Sequence, residues 1–205
     1  MKIIFATHNQ GKVKEMKEIL NDSKIFFEII TLDEAGIKDE IVEDGKTIED
    51  NALKKAREIS KKTGEWAIGE DSGIFITALD GLPGVKTARW GDEDGINHER
   101  LYEYCLDQMI NVPAGKRQAS FETALALVSP DGNEWMFKGQ IDGVIAEQPK
   151  GEPRSGLPYD MVFIPEGYET TFAEMTDEEK NALSHRGKAF RDFAKFLKIK
   201  GSLLK

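Results

Sequence analysis

Residues 47–73, TIEDNALKKAREISKKTGEWAIGEDSG, contain a capped helix followed directly by a strand. Thr47 is a favourable N-cap for the helix, because its hydroxyl can accept the backbone N–H of Asp50. The apolar residues that follow recur at helical spacing, and Gly64 is typical of a helix C-terminus. The apolar residues 66–68 then predict a short strand that ends in an acidic pair. This order of helix and strand indicates an α/β protein.

The rest of the chain continues the same alternation of strands and helices. Asp131 and Gly132 form a strong signal for a hairpin between two long strands. The predicted strands are residues 2–6, 26–32, 66–68, 117–128, 134–145 and 159–164, and residues 74–79 are expected to continue extended after the third. Their order along the chain predicts a central mixed β-sheet flanked by helices, with the hairpin in a second lobe. Because no linker-like segment interrupts this order, residues 1–205 are expected to form one domain.

The composition limits the classes of function. The net charge is −9, and acidic residues are spread along all 205 residues. A protein that binds duplex nucleic acid needs a basic face to neutralise phosphates, so this composition argues against one. No apolar run approaches the roughly 18–20 residues that span a bilayer, so no membrane partner is expected. Since Cys105 is the single cysteine, no disulfide forms within the chain, and we expect the reducing cytoplasm.

Thr7, Asn9 and Lys12 lie in the turn between the first predicted strand and the helix that follows it. A strand-to-helix turn directs backbone N–H groups and the positive end of a helix toward solvent, which suits phosphate binding. The side chains of Thr7 and Asn9 can donate hydrogen bonds, and Lys12 adds a positive charge. The turn lacks the glycines of a P-loop, so a turn that only caps the helix explains the pattern as well.

Two acidic pairs offer a site for a metal ion. Glu43 and Asp44 precede the capped helix, and Glu70 and Asp71 end the strand that follows it. In open α/β sheets, ligands bind at the ends of strands. Carboxylate oxygens without cysteine or histidine suit a hard cation such as Mg²⁺. Two exposed acidic loops are the alternative, which applies less well to Asp71 because it lies tight against a strand.

The basic residues that concern this site fall on two predicted helices. Lys55 lies near the apolar stripe of the helix that Thr47 caps, so its ammonium can lean inward toward the carboxylates. A capping box at Thr176 and Glu179 predicts the start of the second helix. That region carries Lys180 and, at residues 184–186, Ser-His-Arg in a row. A solvated helical turn and a ligand-binding cluster explain this row equally well.

Four separated segments together resemble the inosine triphosphate pyrophosphatase family, also described as XTP/dITP diphosphatases. They are ATHNQGKVKEMKEIL (6–20), EDGKTIEDNALKKA (43–56), GEDSGIFITALDGLPGVKTARW (69–90) and the tail from GYETTFAEM to SHRGKAF (167–190). The likeness runs over nearly the whole chain, and the segments occur in the family's order. It implies a two-lobed α/β fold with the nucleotide in a cleft between the lobes, usually in a homodimer.

The resemblance also implies an activity. Members of the family use Mg²⁺ to hydrolyse a nucleoside triphosphate between its α and β phosphates, releasing a monophosphate and pyrophosphate. Their preferred substrates are the deaminated purine nucleotides ITP, dITP and XTP, so the implied role is cleansing of the nucleotide pool. A 6-oxo purine presents an acceptor at O6 where adenine presents an amino donor, so donors such as Lys180 and Arg186 select for it.

Carried over by position, the resemblance gives each candidate residue a place on the substrate or the metal. The residues expected to hold phosphates are Thr7, Asn9, Lys12 and Lys55. Those expected around the metal are Glu43, Glu70 and Asp71. Asp71 is also the expected general base that orients water. Those expected at the nucleoside and its base are Ser72, Leu157, Tyr159, Asp160, Lys180, His185 and Arg186.

One segment departs from the family pattern. The family's Gly-Phe-Gly-Tyr-Asp-Pro reads Gly-Leu-Pro-Tyr-Asp-Met at residues 156–161. Leu157 replaces the ring that stacks on the base, an interaction worth about 1–3 kcal/mol, and Pro158 stiffens the loop. Tyr159 or Trp90 could supply the missing ring. We therefore expect diphosphatase chemistry with an altered affinity or selectivity for the base.

Two alternative functions stay open at this point. The first is a related pyrophosphatase whose preference has moved to pyrimidine or modified nucleotides, as in the similarly folded Maf-type proteins. The second is a non-catalytic nucleotide-binding protein. The carboxylates and lysines expected around the metal and phosphates argue against the second, because a binding module has no need for a base beside a metal.

Overall fold

The computed structural model describes residues 2–23, 27–91 and 94–200. Its strands are β1 (Lys2–Phe5), β2 (Glu28–Thr31), β3 (Trp66–Ile76), β4 (Pro83–Gly84), β5 (Gln118–Val128), β6 (Glu134–Ile145) and β7 (Phe163–Pro165). Its helices are α1 (Gln10–Asp22), α2 (Ile48–Thr63), α3 (Leu101–Gln108), α4 (Asp177–Leu183) and α5 (His185–Lys200). Within the described ranges, no helix is both long enough and apolar enough to span a membrane.

The strands form a mixed sheet in the order β2-β1-β3-β5-β6-β7, and β4 pairs with β3. β1 is parallel to both of its neighbours, with Ile3 opposite Ile29 of β2 and Trp66 of β3. The β3–β4 and β6–β7 pairs are antiparallel. Parallel neighbours need crossover connections, which α1 and α2 provide. The predicted mixed sheet is therefore confirmed.

The chain divides into two compact units, and neither is a continuous segment. Unit 1 comprises Met1–Asp71, Thr123–Gly139 and Arg186–Lys205. Unit 2 comprises Ser72–Glu122 and Gln140–His185. The chain passes from one unit to the other within β3, β5 and β6 and again at the first residue of α5.

The core of unit 1 brings the first strand together with the last helix. Ile3 and Phe5 of β1 are buried in one apolar cluster with Phe190 and Phe193 of α5, and α1 contributes Met16. The rings of Phe5 and Phe190 meet edge to face with their centroids 6.0 Å apart, a favourable aromatic geometry. This packing fixes the end of β1, from which the turn into α1 departs.

Unit 2 has an aromatic core of its own. Phe121 of β5 contacts the rings of Phe163 and Phe172, whose centroids lie 4.8 and 6.2 Å away. Cys105 of α3 is fully buried in the same cluster. Burial raises the pKa of its thiol to about 12, so Cys105 acts as a small packing residue.

The prediction that the strand of residues 66–68 ends at the acidic pair is wrong, because one strand runs on to Ile76. Residues 74–76 are extended as predicted, whereas residues 77–79 form a 3₁₀ turn. β3 continues through Glu70 and Asp71, and both side chains are buried. The strand can continue because these carboxylates have hydrogen-bonding partners in unit 1 and because Gly69 leaves room for α2. A Cβ at Gly69 would lie only 2.0 Å from the carbonyl oxygen of Ala52.

Two further strand predictions need correction. Residues 159–164, predicted as a strand, instead form a 3₁₀ turn at Pro158–Met161 followed by β7. Pro158 favours this turn, because its fixed φ suits a first helical position and it has no N–H to donate to a ladder. The strand predicted at residues 26–32 is shorter in the structure, and Phe26 lies outside the described residues.

The helix predicted to start at Thr176 is confirmed but short. Thr176 is the N-cap of α4, and it forms the predicted capping box with Glu179. The helix ends before Ser184, whose backbone is extended, with φ −64° and ψ 159°. A new helix begins at His185. The row of polar residues at 184–186 therefore marks a break between two helices.

Candidate active site

The turn between β1 and α1 has the predicted form. Asn9 is the N-cap of α1, and its side chain accepts the backbone N–H of Lys12 at 3.1 Å. The hydroxyl of Thr7 accepts the N–H of Asn9, also at 3.1 Å. Beside them, the Nδ1 of His8 lies 2.8 Å from a carboxylate oxygen of Asp33. Thr7 and Asn9 thus shape a turn at the positive end of a helix, where an anion is stabilised.

Glu70 is the centre of a buried ionic cluster in unit 1. Its carboxylate is 1% exposed and lies 2.6 Å from the Nζ of Lys12 and 3.2 Å from the Nε of Arg186. The hydroxyl of Thr123 donates to the same carboxylate at 2.7 Å. Burial opposes ionisation, but the charges of Lys12 and Arg186 outweigh it and hold the pKa of Glu70 well below its usual range. Glu70 is therefore an anion at neutral pH.

Arg186 connects this cluster to Glu15 of α1. Its guanidinium donates to Glu15 at 2.5 Å, and both side chains are buried. Burial opposes the charge of Arg186, but Glu70 and Glu15 outweigh it and raise the pKa of the guanidinium. Arg186 thus binds carboxylates, and its contact with a base stays a prediction. Sequence reasoning missed Glu15, although a charged residue beside Met16 on the apolar stripe of α1 is a signal for such a pair.

Asp71 lies in a second arrangement of buried polar groups. Its carboxylate accepts the side-chain amide of Asn51 at 2.9 Å and lies 3.8 Å from the Nζ of Lys55. That Nζ lies 2.5 Å from Glu43, so Lys55 does lean inward from α2. Burial raises the pKa of Asp71 against the charges of Lys55 and Lys12, and Glu43 adds to the rise. Asp71 is therefore the better proton acceptor of the acidic pair, as a general base must be.

Asn51 and Thr123 support the acidic pair and were not predicted from the sequence. The side-chain oxygen of Asn51 accepts the backbone N–H of Gly45 at 2.8 Å, while its nitrogen donates to Asp71. Asn51 therefore ties the loop after Glu43 to β3. Its place beside the capped start of α2 could have indicated it, whereas nothing in the local sequence distinguishes Thr123 within β5.

The carboxylates of unit 1 suit a divalent cation that takes few ligands from the protein. Among the residues that the structure describes, no group of three or more histidine, cysteine, aspartate or glutamate side chains forms a ready metal site. The carboxylates of Glu43 and Asp71 nevertheless lie close to each other, because both lie within ion-pair distance of the ammonium of Lys55. This donor set fits Mg²⁺, which is commonly bound by one or two carboxylates together with waters and substrate phosphates.

A second polar cluster lies in unit 2. The Nζ of Lys180 donates to the carboxylate of Asp160, and both side chains are buried. The ammonium also lies 5.4 Å from the centre of the Phe172 ring, a favourable cation–π contact. His185 stacks on Phe121, with ring centroids 4.6 Å apart and planes inclined by 6°. Unit 2 thus contains Lys180 and His185, which were predicted to read the base, and Asp160, which was predicted nearby.

Tyr159 and Trp90, the two rings considered for stacking on the base, have partners within unit 2. The hydroxyl of Tyr159 donates to the carbonyl oxygen of Thr87 at 2.9 Å, and its ring is buried. Trp90 meets the ring of Tyr104 edge-on, with centroids 5.3 Å apart. Leu157, which is half-buried, remains the residue at the position of the family's ring.

The predicted residues divide between the units. Those in unit 1 are Thr7, Asn9, Lys12, Glu43, Lys55, Glu70, Asp71 and Arg186. Those in unit 2 are Ser72, Leu157, Tyr159, Asp160, Lys180 and His185. Unit 1 therefore holds the residues predicted for phosphate and metal, and unit 2 holds those predicted for the nucleoside, with Arg186 as the exception.

Comparison with known proteins identifies the family. The model of the Ham1 family matches residues 3–196. The chain belongs to the Ham1 family. A dITP/XTP pyrophosphatase of Frankia alni is 40% identical to this Ham1 protein over 202 residues, which are 97% of this chain and 98% of the relative.

Solved structures support the same assignment. A HAM1 protein from Coxiella burnetii aligns with a TM-score of 0.84 and 32% identity, covering 97% of this Ham1 chain and 99% of the other. The nucleoside-triphosphatase, or dITP/XTP pyrophosphatase, of Mycobacterium abscessus aligns with a TM-score of 0.72 and 39% identity, covering 97% and 99%. The predicted family and the predicted α/β fold, a mixed sheet with flanking helices, are therefore confirmed.

Proposed function

We propose that this Ham1 protein hydrolyses the deaminated purine nucleotides dITP, ITP and XTP to the monophosphate and pyrophosphate, and so cleanses the nucleotide pool. The observation that carries the proposal is the burial of Glu70 and Asp71 beside the ammonium groups of Lys12 and Lys55. Such a cluster suits the transfer of a phosphoryl group, which needs charge neutralisation and an aligned water. The relatives that are dITP/XTP pyrophosphatases support the choice of substrate.

Asp71 is the proposed general base. With its raised pKa it can accept a proton from the attacking water, while the hydrogen bond from Asn51 fixes the orientation of its carboxylate. The water oxygen forms a bond to the α-phosphorus as the bond from that phosphorus to the α–β bridging oxygen breaks. Pyrophosphate leaves with the electron pair of the broken bond. Lys12 and Lys55 stabilise the negative charge of the phosphates during this step.

Glu43, Glu70 and Asp71 are the proposed ligands of Mg²⁺, together with oxygens of the substrate. When bound, the cation would supply neutralisation of phosphate charge. Glu70 stays ionised in the cluster, because the charges of Lys12 and Arg186 favour its carboxylate form. Removal of divalent cations with a chelator is expected to abolish turnover, and addition of Mg²⁺ alone is expected to restore it.

Recognition of the base is proposed for the cluster in unit 2. Lys180 and His185 carry N–H donors that suit the O6 acceptor of hypoxanthine or xanthine. Asp160 holds the ammonium of Lys180 in place, and Leu157 would supply apolar contact where relatives supply a ring. We propose that Ser72, Tyr159 and Arg186 contact the nucleoside or position the residues that do. Thr7 and Asn9 would bind the phosphates.

A product assay tests the proposed function. ITP, dITP, XTP, GTP, ATP, dUTP and dTTP are each incubated with the protein and Mg²⁺, and pyrophosphate is measured separately from phosphate. Pyrophosphate released mainly from ITP, dITP and XTP is the expected result. Release of phosphate alone, or of no product from any nucleotide, would contradict the proposal.

Leu157 and Pro158 favour a second candidate, a pyrophosphatase with a shifted base preference. Without a stacking ring, the pocket loses part of about 1–3 kcal/mol of purine contact. Pyrophosphate mainly from a pyrimidine nucleotide in the same assay would establish this candidate. Leu157→Phe should then increase the preference for ITP, and an unchanged KM and ranking of nucleotides would exclude a role for this position.

The cytoplasm and a homodimer are proposed as the setting of the activity. The substrates are nucleotides of the cellular pool, and the resemblance to the family implies a dimer. Sedimentation velocity tests the second point, because a species of twice the chain mass of 23.0 kDa is expected.

A further inference from the structure

Arg154 lies in the loop that follows β6, and the proposed function gives it no role. Its guanidinium is attached at four points within unit 2. The Nε lies 3.2 Å from the carboxylate of Asp177, and an Nη lies 3.5 Å from Oδ2 of Asp160. The Nη groups also donate to the carbonyl oxygens of Phe172 and Met175. Such multiple attachment suits the planar fork of arginine, which a lysine ammonium does not reproduce.

Each of these contacts is with a group that positions Lys180. Oδ2 of Asp160 is the oxygen that also accepts a hydrogen bond from the Lys180 ammonium. Phe172 supplies the ring that faces the ammonium. Met175 and Asp177 flank the N-cap of α4, the helix that carries Lys180. One guanidinium therefore binds the carboxylate, the backbone of the residue that bears the ring, and the start of the helix that carries Lys180.

The backbone of Arg154 fixes a second predicted contact of the base. Its carbonyl oxygen accepts the N–H of Leu157 at 3.0 Å. Arg154 also lines a cavity of about 230 Å³, together with other residues of the loop and with Tyr102 of α3. Arg154 therefore connects Leu157, which stands where relatives have a stacking ring, with the pair formed by Lys180 and Asp160.

We propose that Arg154 is a positioning residue for base selectivity, whose guanidinium holds Lys180 in the arrangement that reads a 6-oxo purine. This inference rests on the proposed function, in which Lys180 contacts the base. Its loss should affect the distinction between nucleotides more than the chemical step, because its partners surround Lys180 and none of them is assigned to the phosphates or the metal.

The test compares Arg154→Met and Arg154→Lys with the control Arg57→Met. Arg57 is a matched arginine outside the proposed site, because it makes a two-point contact with Glu134 at 2.5 and 2.8 Å and is 56% exposed. The probes are IMP and AMP, which differ at position 6 of the purine and lack the triphosphate. Their dissociation constants are measured by competition calorimetry, and kcat and KM are measured for ITP and ATP.

Arg154→Met is expected to weaken IMP binding about tenfold and AMP binding by less than about twofold. KM for ITP should rise while kcat stays within about twofold. Arg154→Lys should recover only part of the loss, because it restores the charge without the fork. Arg57→Met should match the wild type. An equal loss for both nucleotides, or a fall in kcat that follows the fraction of folded protein, would indicate a merely structural role and overturn the proposal.

Lys180→Met separates this inference from the proposed function. If Arg154 acts through Lys180, the double variant binds IMP no more weakly than Lys180→Met alone, whereas additive losses would overturn the proposal. A wild type that binds IMP and AMP equally well contradicts the proposed function instead. In that case the positioning role is tested by Tm. The decrease in Tm of the combined Arg154→Met and Asp160→Asn variant should differ from the sum of the decreases of the two single variants, and an additive decrease would overturn the positioning role.

Discussion

Replacement of Gly69 with alanine tests how closely the acidic cluster depends on α2. Gly69 directly precedes Glu70 and Asp71 in β3. A Cβ at this position would lie 2.0 Å from the carbonyl oxygen of Ala52 and 2.8 Å from the backbone nitrogen of Ala56, both in α2. Since ordinary contacts begin at 3.4 Å, the helix would have to move by about 1 Å or more to relieve the overlap.

The displaced helix carries Asn51 and Lys55, whose side chains lie 2.9 and 3.8 Å from the carboxylate of Asp71. Overpacking of this kind costs about 1–3 kcal/mol in free energy of unfolding, which is less than the roughly 5–15 kcal/mol of a typical domain. The variant should therefore stay folded. A misplacement of about 1 Å at the reacting groups is expected to lower kcat about 100-fold.

The assay is pyrophosphate release from ITP, normalised to the folded fraction from thermal unfolding monitored by circular dichroism. Gly115→Ala is the matched control, because a Cβ at Gly115 meets no atom within 4 Å and its φ is not in the left-handed region. The control should keep the wild-type rate and Tm. A folded Gly69→Ala protein with wild-type kcat would refute the reasoning, since α2 and β3 would then not need this close approach for catalysis.

Asp71, Glu70 and Cys105 each give a further testable outcome. Asp71→Asn should lower kcat for pyrophosphate release by about 10²–10⁴-fold with little change in nucleotide affinity; a fall of less than about tenfold argues against a general base. In metal-free protein, ionised Glu70 stabilises the fold above its ordinary pKa, and this stability is lost as the pH falls toward its lowered folded pKa. Glu70→Gln should therefore flatten the decline of Tm below about pH 4.5, whereas an unchanged slope contradicts the lowered pKa. Cys105, with a thiol pKa of about 12, should resist a thiol reagent in the native state and react fully in denaturant; rapid native labelling would contradict its burial.

Signals between neighbouring residues predicted the elements that depend on local hydrogen bonds. Thr47 caps α2, Gly64 ends it with a φ of 69°, and the strand expected at residues 134–145 has those bounds in the structure. The turn at Asn9 was also predicted, with helix capping left open as one explanation, and its side chain does accept a backbone N–H three residues later. Such features are read directly from the sequence.

Contacts between distant parts of the chain were not predicted. Arg186 and Glu15 are 171 residues apart, and Thr123 is 53 residues from Glu70. Spacing can mark a charged side chain such as Glu15 as buried, but it does not identify the distant residue that pairs with it. The same limit explains the wrong end of β3, because a buried carboxylate in a strand is acceptable only when its partners are known. The resemblance supplied the proposed site residues, but it did not supply the groups that hold them.

The packing of β1 against α5 has a consequence for synthesis of the chain on the ribosome. Phe5 and Phe190 share one core cluster, yet nearly all of the sequence separates them. At about 5–20 residues per second, the apolar side chains of β1 wait on the order of 10–40 s for their partner helix. During this interval the nascent strand exposes apolar side chains to other unfolded chains. Chaperone binding to β1 should therefore be strongest before α5 emerges and should end when that helix docks.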